Sequence, residues 1–116
     1  MSKPTIYHNP RCSKSRQTLA LLEEKCLTPN IIEYLENTPS QEELGKLVEQ
    51  LGVEAHDVLR SKEDAYGEAG LSATSSQEEI LSAIVQYPIL LERPIVVHHD
   101  KAAIGRPPEN VLALFE

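Results

Sequence analysis

The residue best suited to chemistry is Cys12, which lies in a short polar segment near the N-terminus. The segment reads PRCSKSR at residues 10–16, after a β-prone apolar run and before a helical pattern. At a helix N-terminus, unpaired backbone N–H groups and the positive end of the macrodipole both favour a thiolate. Three basic residues of the segment add positive charge, and His8 would add more when protonated. The sequence therefore predicts a nucleophilic thiolate rather than a cysteine buried in the core.

A second cysteine, Cys26, is expected to pack in the core, because it lies on the apolar face at the end of the first predicted helix. The 14 residues from Cys12 to Cys26 would span about 21 Å in a helix. A disulfide needs Cα atoms within about 7 Å. The motif at Cys12 is C-x-x-S, with Ser15 in the last position. We therefore expect the second thiol of any redox cycle to come from another molecule.

Apolar periodicity and turn signals predict the elements that must position these residues. A β-α-β unit comprises strand Thr5–Tyr7, helix Arg16–Cys26 and strand Asn30–Leu35, with parallel strands. Capping boxes at Ser40/Glu43 and Ser76/Glu79 begin two helices of an insertion, the second with Ile80, Leu81, Ile84 and Val85 inward. The chain ends with strand Pro94–His98, strand Ala102–Ile104 and a helix from Pro107. This order predicts an α/β, thioredoxin-like fold (β-α-β, helical insertion, β-β-α) with a mixed sheet, in one domain over residues 1–116.

Later in the chain, three arginines are candidates for binding an anion: Arg60, Arg93 and Arg106. Guanidinium groups stay charged and form paired hydrogen bonds with tetrahedral oxyanions. Arg93 precedes Pro94 at the start of the third strand, which faces the cysteine loop in a thioredoxin-like order. A proline at this point is often cis, so we expect a cis Arg93–Pro94 junction. A thiolate beside several arginines would suit a dianionic oxyanion that is attacked by sulfur.

Composition and charge argue against several classes of function. The 116 residues are 41% hydrophobic and carry a net charge of −7. That charge argues against binding to nucleic acid or to an anionic membrane, and it requires any anion site to be locally basic. No apolar run approaches the ~20 residues of a membrane span, and no signal peptide is visible. With two cysteines in the chain, the cytoplasm is the expected location.

Two other kinds of site are not indicated by the motifs. Cysteine phosphatases cradle phosphate in a C-x5-R loop, whereas Cys12 to Arg16 gives C-x3-R. His98 and His99 are adjacent, but further ligands at metal-binding spacing are not evident. We therefore expect no metal and no bound cofactor.

Three segments resemble the glutaredoxin-dependent arsenate reductase family, in its shorter, arsenate-reductase-like subgroup: YHNPRCSKSR at residues 7–16, ERPIV at 92–96 and GRPPE at 105–109. The likeness extends over almost the whole chain. It implies a thioredoxin-like fold with a helical insertion. It also implies that Cys12 attacks arsenate, that Arg60, Arg93 and Arg106 surround the oxyanion, and that His8 influences the thiolate, with Ser15 and Arg16 as further supporting residues.

The same resemblance implies the partners of the reaction. Glutathione acts as a co-substrate that attacks the Cys12–arsenate adduct, arsenite leaves, and a glutaredoxin resolves the mixed disulfide. The expected partners are therefore arsenate or a similar oxyanion, glutathione and glutaredoxin, and the chain is expected to be a monomer. Two alternatives stay open at the level of sequence: a related glutathione-dependent thiol reductase acting on another substrate, and a non-catalytic thioredoxin-like regulatory or binding module. Related transcriptional regulators typically carry C-x-x-C where this chain has C-x-x-S.

The pH profile of Cys12 alkylation tests the catalytic interpretations. If the helix N-terminus and the basic segment stabilise the thiolate, the midpoint of the alkylation rate should lie below the free-thiol pKa of about 8.5. A midpoint near 8.5 would argue against all of the catalytic interpretations and favour the binding module.

Overall fold

The computed structural model describes residues 3–25, 27–60, 62–92, 94–105 and 107–115. The chain divides into two compact units. The sheet unit comprises Met1–Asn37 and Arg93–Glu116, and the helical unit comprises Thr38–Glu92. The helical unit corresponds to the predicted insertion, while the assignment of residues 1–116 to one domain stays a prediction.

A four-stranded mixed sheet forms the centre of the sheet unit. The strands are β1 (Thr5–Tyr7), β2 (Asn30–Ile32), β3 (Ile95–His98) and β4 (Lys101–Ile104), in the order β2-β1-β3-β4. β1 is parallel to β2 and antiparallel to β3, and β3 is antiparallel to β4. Ile6 of the central strand pairs with Ile31 on one side and with Val96 on the other. The predicted thioredoxin-like α/β fold with a mixed sheet is thereby confirmed.

The crossover helix α1 (Ser13–Glu24) begins three residues earlier than the predicted start at Arg16. Residues 13–15, predicted to be loop, form its first turn because Cys12 has the extended conformation of an N-cap residue. The N–H of Arg16 donates to the carbonyl of Cys12 at 3.0 Å, which closes that first turn. Cys12 therefore sits directly at the N-terminus of the helix.

Strand β2 ends at Ile32, three residues before the predicted end at Leu35. The reason is a turn in which the N–H groups of Glu36 and Asn37 both donate to the carbonyl of Glu33, each at 2.9 Å. Glu33, Leu35 and Glu36 therefore project from a turn beyond the carboxyl end of the strand rather than from the sheet itself.

The core of the sheet unit is aliphatic and lies between the sheet, α1 and the C-terminal segment. Four side chains in it are completely buried: Ile6, Leu22, Val96 and Val111. The C-terminal segment Pro108–Phe115 is a 3-10 helix rather than the predicted α-helix. Its first turn is closed by an i→i+3 bond from the N–H of Asn110 to the carbonyl of Pro107 at 3.0 Å.

The helical unit contains the two helices that the capping boxes predicted. They are α2 (Gln41–Leu51) and α4 (Gln77–Gln86), and both capping boxes are present. The short helix α3 (Asp64–Glu68) lies between them, and 3-10 helices cover Ala55–Val58 and Pro88–Leu90. Within the described residues, no helix is long and apolar enough to cross a bilayer.

One inward residue of α4 was predicted wrongly. Ile80, Leu81 and Ile84 are buried, but Val85 is 40% exposed. Successive residues of an α-helix are rotated by about 100°, so Val85 lies well around the helix from Ile84.

The close approach of Gly105 to α1 gives a test of the packing. A Cβ at Gly105 would lie 2.6 Å from Oγ1 of the buried Thr18 and 2.8 Å from Cγ of Pro94. We expect Gly105→Ala to lower the free energy of unfolding by about 1–3 kcal/mol through overpacking. The control is Gly67→Ala in α3, where nothing lies within 4 Å, and it should be neutral or stabilise by about 0.5–1 kcal/mol. Urea unfolding measures both, and a Gly105→Ala variant of wild-type stability would contradict the packing described.

Candidate active site

Cys12 occupies the N-cap position of α1, where helices usually carry Ser, Thr, Asp or Asn. Its N–H donates to the carbonyl of Asn9 at 3.0 Å, so the segment after β1 turns tightly into the helix. The thiol is partly exposed. The first turn of the helix holds no acidic residue and carries Lys14 and Arg16. A sulfur at this position is accessible to a reactant and lies in the positive field of the helix N-terminus.

A buried hydrogen-bond network fixes the segment that leads to Cys12. His8, Asn9 and Ser15 are all buried. The Oγ of Ser15 accepts from the N–H of Asn9 at 3.0 Å and lies 2.6 Å from Nδ1 of His8. The Oδ1 of Asn9 accepts from the N–H of Arg11 at 3.0 Å. The end of β1 is thereby joined to the first turn of α1, which holds both ends of the loop.

Arg16 holds the same loop from its exposed side. Its Nη1 donates to the carbonyl of Pro10 at 2.9 Å. The guanidinium therefore stays beside the loop that precedes Cys12 instead of extending into solvent. The structure thus brings four of the predicted site residues together, in one loop and one helical turn: His8, Cys12, Ser15 and Arg16.

The ionisation of His8 is shifted towards the neutral form. Burial lowers the pKa of His8 below its ordinary 6.5, the charge of Glu33 raises it, and the charge of Arg16 lowers it. The net direction is downward. At neutral pH His8 is therefore uncharged, and it acts on the loop through its hydrogen bond with Ser15 rather than through a positive charge.

Arg60 belongs to the helical unit, where two carboxylates hold it. Its Nε lies 3.2 Å from Oε1 of Glu63, and its Nη1 lies 3.0 Å from Oε1 of Glu92. The backbone is fixed as well, because the N–H of Arg60 donates to the carbonyl of Leu90 at 2.7 Å beside the antiparallel bridge between Leu59 and Leu91. Both carboxylates are partly buried, so the guanidinium is oriented and its charge is partly compensated.

Arg93, Arg106 and Cys26 lie outside the described residues, as does the junction at which a cis Pro94 was predicted. The N–H of Gly105 donates to the carbonyl of Pro94 at 2.9 Å, and Gly105 lies close to the side chains of Thr18 and Pro94. Gly105, the residue before Arg106 in the sequence, therefore lies against the buried Thr18 of α1.

Several residues that shape the site were missed by sequence reasoning. Asn9 forms hydrogen bonds through its N–H, its carbonyl and its side chain, and it was not among the predicted site residues. Thr18 is completely buried and donates from Oγ1 to the carbonyl of Lys14 at 2.8 Å. Glu63 pairs with Arg60 at an i, i+3 spacing, which is a signal that the sequence does contain. Among the residues described, no group of three or more His, Cys, Asp and Glu side chains could hold a metal ion.

The fold and the loop define a thioredoxin-like protein with a cysteine at the N-terminus of its first helix. The ArsC family matches residues 7–114, and the chain belongs to that family. The family predicted from the three sequence segments is thereby confirmed.

Proteins similar to this chain cover nearly its whole length. An arsenate reductase of Haemophilus influenzae is 47% identical over 112 residues, covering 95% of this chain and 97% of that protein. The uncharacterized protein YfgD of Escherichia coli K12 is 50% identical over 111 residues, covering 94% of this chain and 93% of that protein. The solved structure of an arsenate reductase from Vibrio cholerae is 48% identical, with a TM-score of 0.93 and 97% of each chain covered.

The lowered pKa of His8 predicts a specific pH dependence of stability. The unfolded chain protonates His8 near pH 6.5, whereas the folded chain does so only at lower pH. Between these two values the unfolded state binds more protons, so stability rises with pH through this window and is lost as pH falls through it. In the variant His8→Gln, this contribution to the pH slope should disappear.

Urea unfolding of wild type and His8→Gln at several pH values between 5 and 8 measures the two slopes. The comparison is between slopes, so any uniform loss of stability in the variant does not affect it. Equal slopes in the two proteins would contradict the assignment of a lowered pKa to His8.

Proposed function

We propose that this protein is an arsenate reductase in which the Sγ of Cys12 is the nucleophile. The observation that carries the proposal is the position of Cys12: a partly exposed thiol at the N-cap of α1, in a first turn without acidic residues. Membership of a family in which several close relatives are named arsenate reductase supports arsenate as the substrate. A reducing compartment, the cytoplasm, is where such a thiol would work.

The first step forms a sulfur–arsenic bond. The thiolate of Cys12 attacks the arsenic(V) of arsenate, an As–O bond breaks, and the oxygen leaves as water after protonation. The product is a thioester of arsenic acid in which arsenic is still As(V). The helix N-terminus supports this step by favouring the thiolate, and the bond between His8 and Ser15 supports it by fixing the loop.

Binding of the oxyanion needs a local positive field, because the chain as a whole carries a charge of −7. We assign this role to Arg60, Arg93 and Arg106. The close approach of Gly105 to Pro94 and to Thr18 of α1 supports the assignment for the two arginines that are sequence neighbours of Pro94 and Gly105. For Arg60 the assignment follows the family resemblance; Glu63 and Glu92 orient its guanidinium, and an incoming oxyanion has to compete with these two carboxylates.

The second step reduces arsenic and needs an external thiol. The sulfur of glutathione attacks the Sγ of Cys12, an S–S bond forms, and the S–As bond breaks. The electron pair of the S–As bond stays on arsenic, which becomes As(III), and the thiol proton completes arsenous acid. A glutaredoxin thiol then attacks the mixed disulfide, takes up the glutathionyl group and returns Cys12 to the thiol.

The continuity of α1 supports the need for an external thiol. The helix runs without a break from Ser13 to Glu24, and 12 helical residues span about 18 Å. Cys26 follows the end of this helix in the sequence, so a disulfide with Cys12 would require α1 to unfold. Glutathione and glutaredoxin provide the two electrons while α1 stays folded.

Steady-state turnover tests the proposal with two cysteine variants as a matched pair. The purified protein is assayed with arsenate, glutathione, glutaredoxin and NADPH-coupled recycling of glutathione. Cys12→Ser should fall to background, because the nucleophile is removed. Cys26→Ala should keep wild-type turnover within a few-fold, since Cys26 has no role in the cycle.

Two other results would favour the alternative functions. A wild-type protein without turnover, but with rapid alkylation of Cys12 at neutral pH, would be a thiol enzyme acting on another substrate. A wild-type protein without turnover and with a slowly alkylating thiol would be a binding module. Loss of turnover in Cys26→Ala with intact folding would contradict the external thiol.

A further inference from the structure

A cavity of about 430 Å³ opens in the sheet unit at the carboxyl ends of β1 and β2. Its lining comes from the end of β1 and from the turn after β2: His8, Asn9, Pro10, Arg11, Glu33, Leu35 and Glu36. In α/β sheets, ligands bind in the crevice beyond the carboxyl ends of parallel strands. The volume lies in the usual range for small-molecule sites. On the β1 side the lining ends at Arg11, and neighbouring Cα atoms are about 3.8 Å apart, so the cavity wall adjoins Cys12.

The walls of this cavity carry charges of both signs. Arg11 stands on the β1 side, and Glu33 and Glu36 stand on the β2 side. Within the described part of the chain, none of these three side chains forms an ion pair. Two carboxylates against one guanidinium disfavour a dianionic oxyanion, so the cavity does not suit arsenate. A ligand that carries both an ammonium and a carboxylate matches the two walls.

The side chains between the charges are apolar. Leu35 is 39% exposed, and Pro10 is exposed as well. Together they offer an apolar surface for a short aliphatic or peptide stem. The negative charge of Glu33 also acts inside the cavity. It raises the pKa of the buried His8, which is another lining residue. The lining therefore offers groups for an ammonium, an apolar stretch and a group for a carboxylate, and its β1 side belongs to the segment that leads to Cys12.

We propose that this cavity binds the reducing thiol, glutathione, an inference that rests on the proposed function. Glu33 and Glu36 hold the ammonium of the γ-glutamyl end, and Arg11 holds the glycine carboxylate. The second carboxylate lies in solvent at the mouth of the cavity, and the thiol in the middle of the tripeptide faces Cys12.

Glutathione bound in this way delivers its sulfur to the adduct described above. Its sulfur attacks the Sγ of Cys12, the S–S bond forms, and the S–As bond breaks with its electron pair on arsenic. The arsenic is reduced from As(V) to As(III), the two sulfurs are oxidised to a disulfide, and the thiol proton leaves on arsenous acid. The oxyanion and glutathione then bind to different side chains of the protein. A substitution can therefore change the affinity for one of them without changing the affinity for the other.

Binding can be measured without turnover by using S-methylglutathione, which has no thiol and cannot react with Cys12. Amide chemical shifts of the reduced wild-type protein are recorded during the titration. The expected shifts fall on residues 8–11 and 33–36, and they should be lost in the double variant Glu33→Gln/Glu36→Gln. No binding, or shifts confined to the region of Ile95 and Gly105, would overturn the proposal.

The ammonium subsite is tested by comparing glutathione with the analogue that lacks the γ-glutamyl amino group. In wild type, kcat/KM for glutathione should exceed that for the analogue by about tenfold, because charge-assisted hydrogen bonds are among the strong ones. In Glu33→Gln/Glu36→Gln this ratio should fall to about one. The ratio cancels any change in the Cys12 thiolate, since both thiols attack the same adduct.

The control is Glu49→Gln on the exposed face of α2, which should keep the tenfold ratio. A double variant that also keeps the tenfold ratio would overturn the proposal. Failure of the proposed function is distinguishable from failure of this one. A protein without arsenate turnover would refute the reductase, while the titration with S-methylglutathione would still decide whether the cavity binds the tripeptide.

Discussion

The contact on which the candidate site depends is the buried hydroxyl of Ser15. Its oxygen accepts from the N–H of Asn9 and bonds Nδ1 of His8, so one atom joins the end of β1 to the first turn of α1. A further hydrogen bond holds the loop between them, because Arg16 donates to the carbonyl of Pro10 on its exposed side. Cys12 is therefore held at a hydrogen-bonded strand–turn–helix junction, which is the preorganisation that the proposed nucleophile needs.

The charge around the first turn of α1 is positive, although the net charge of the chain is negative. The chain carries −7, yet the first turn of α1 contains no acidic residue, and the helix N-terminus adds its own positive field. The cavity beside the loop has the opposite balance, with two carboxylates facing one guanidinium. Two small regions of the same unit thus differ in charge, and in the proposed function this would separate a dianionic substrate from a thiol that also carries an ammonium.

Much of the fold followed from local rules in the sequence. Both capping boxes, the β-α-β crossover and the hairpin of β3 and β4 are decided by short-range chemistry, and each was predicted. The start of α1 was predicted too late, because a cysteine at the N-cap is not a usual start signal. The end of β2 was predicted too late, because the hydrogen bonds to the carbonyl of Glu33 have no marker in composition. The pairing of Arg60 with Glu92 escaped prediction because Glu92 is 32 residues away and meets Arg60 through tertiary structure.

A cysteine at an N-cap also ties the redox state of the protein to the stability of a helix. By thermodynamic reciprocity, the free energy by which α1 stabilises the thiolate of Cys12 equals the free energy by which the thiolate stabilises α1. In a mixed disulfide the sulfur of Cys12 carries no charge, so that contribution to helix stability is lost. The reduced form is favoured in consequence, and the reduction potential of the mixed disulfide is raised. A mixed disulfide at this helix terminus is therefore more readily reduced by an incoming thiol than one outside the field of the helix, so in the proposed cycle one helix would favour both the attack by the sulfur and its release.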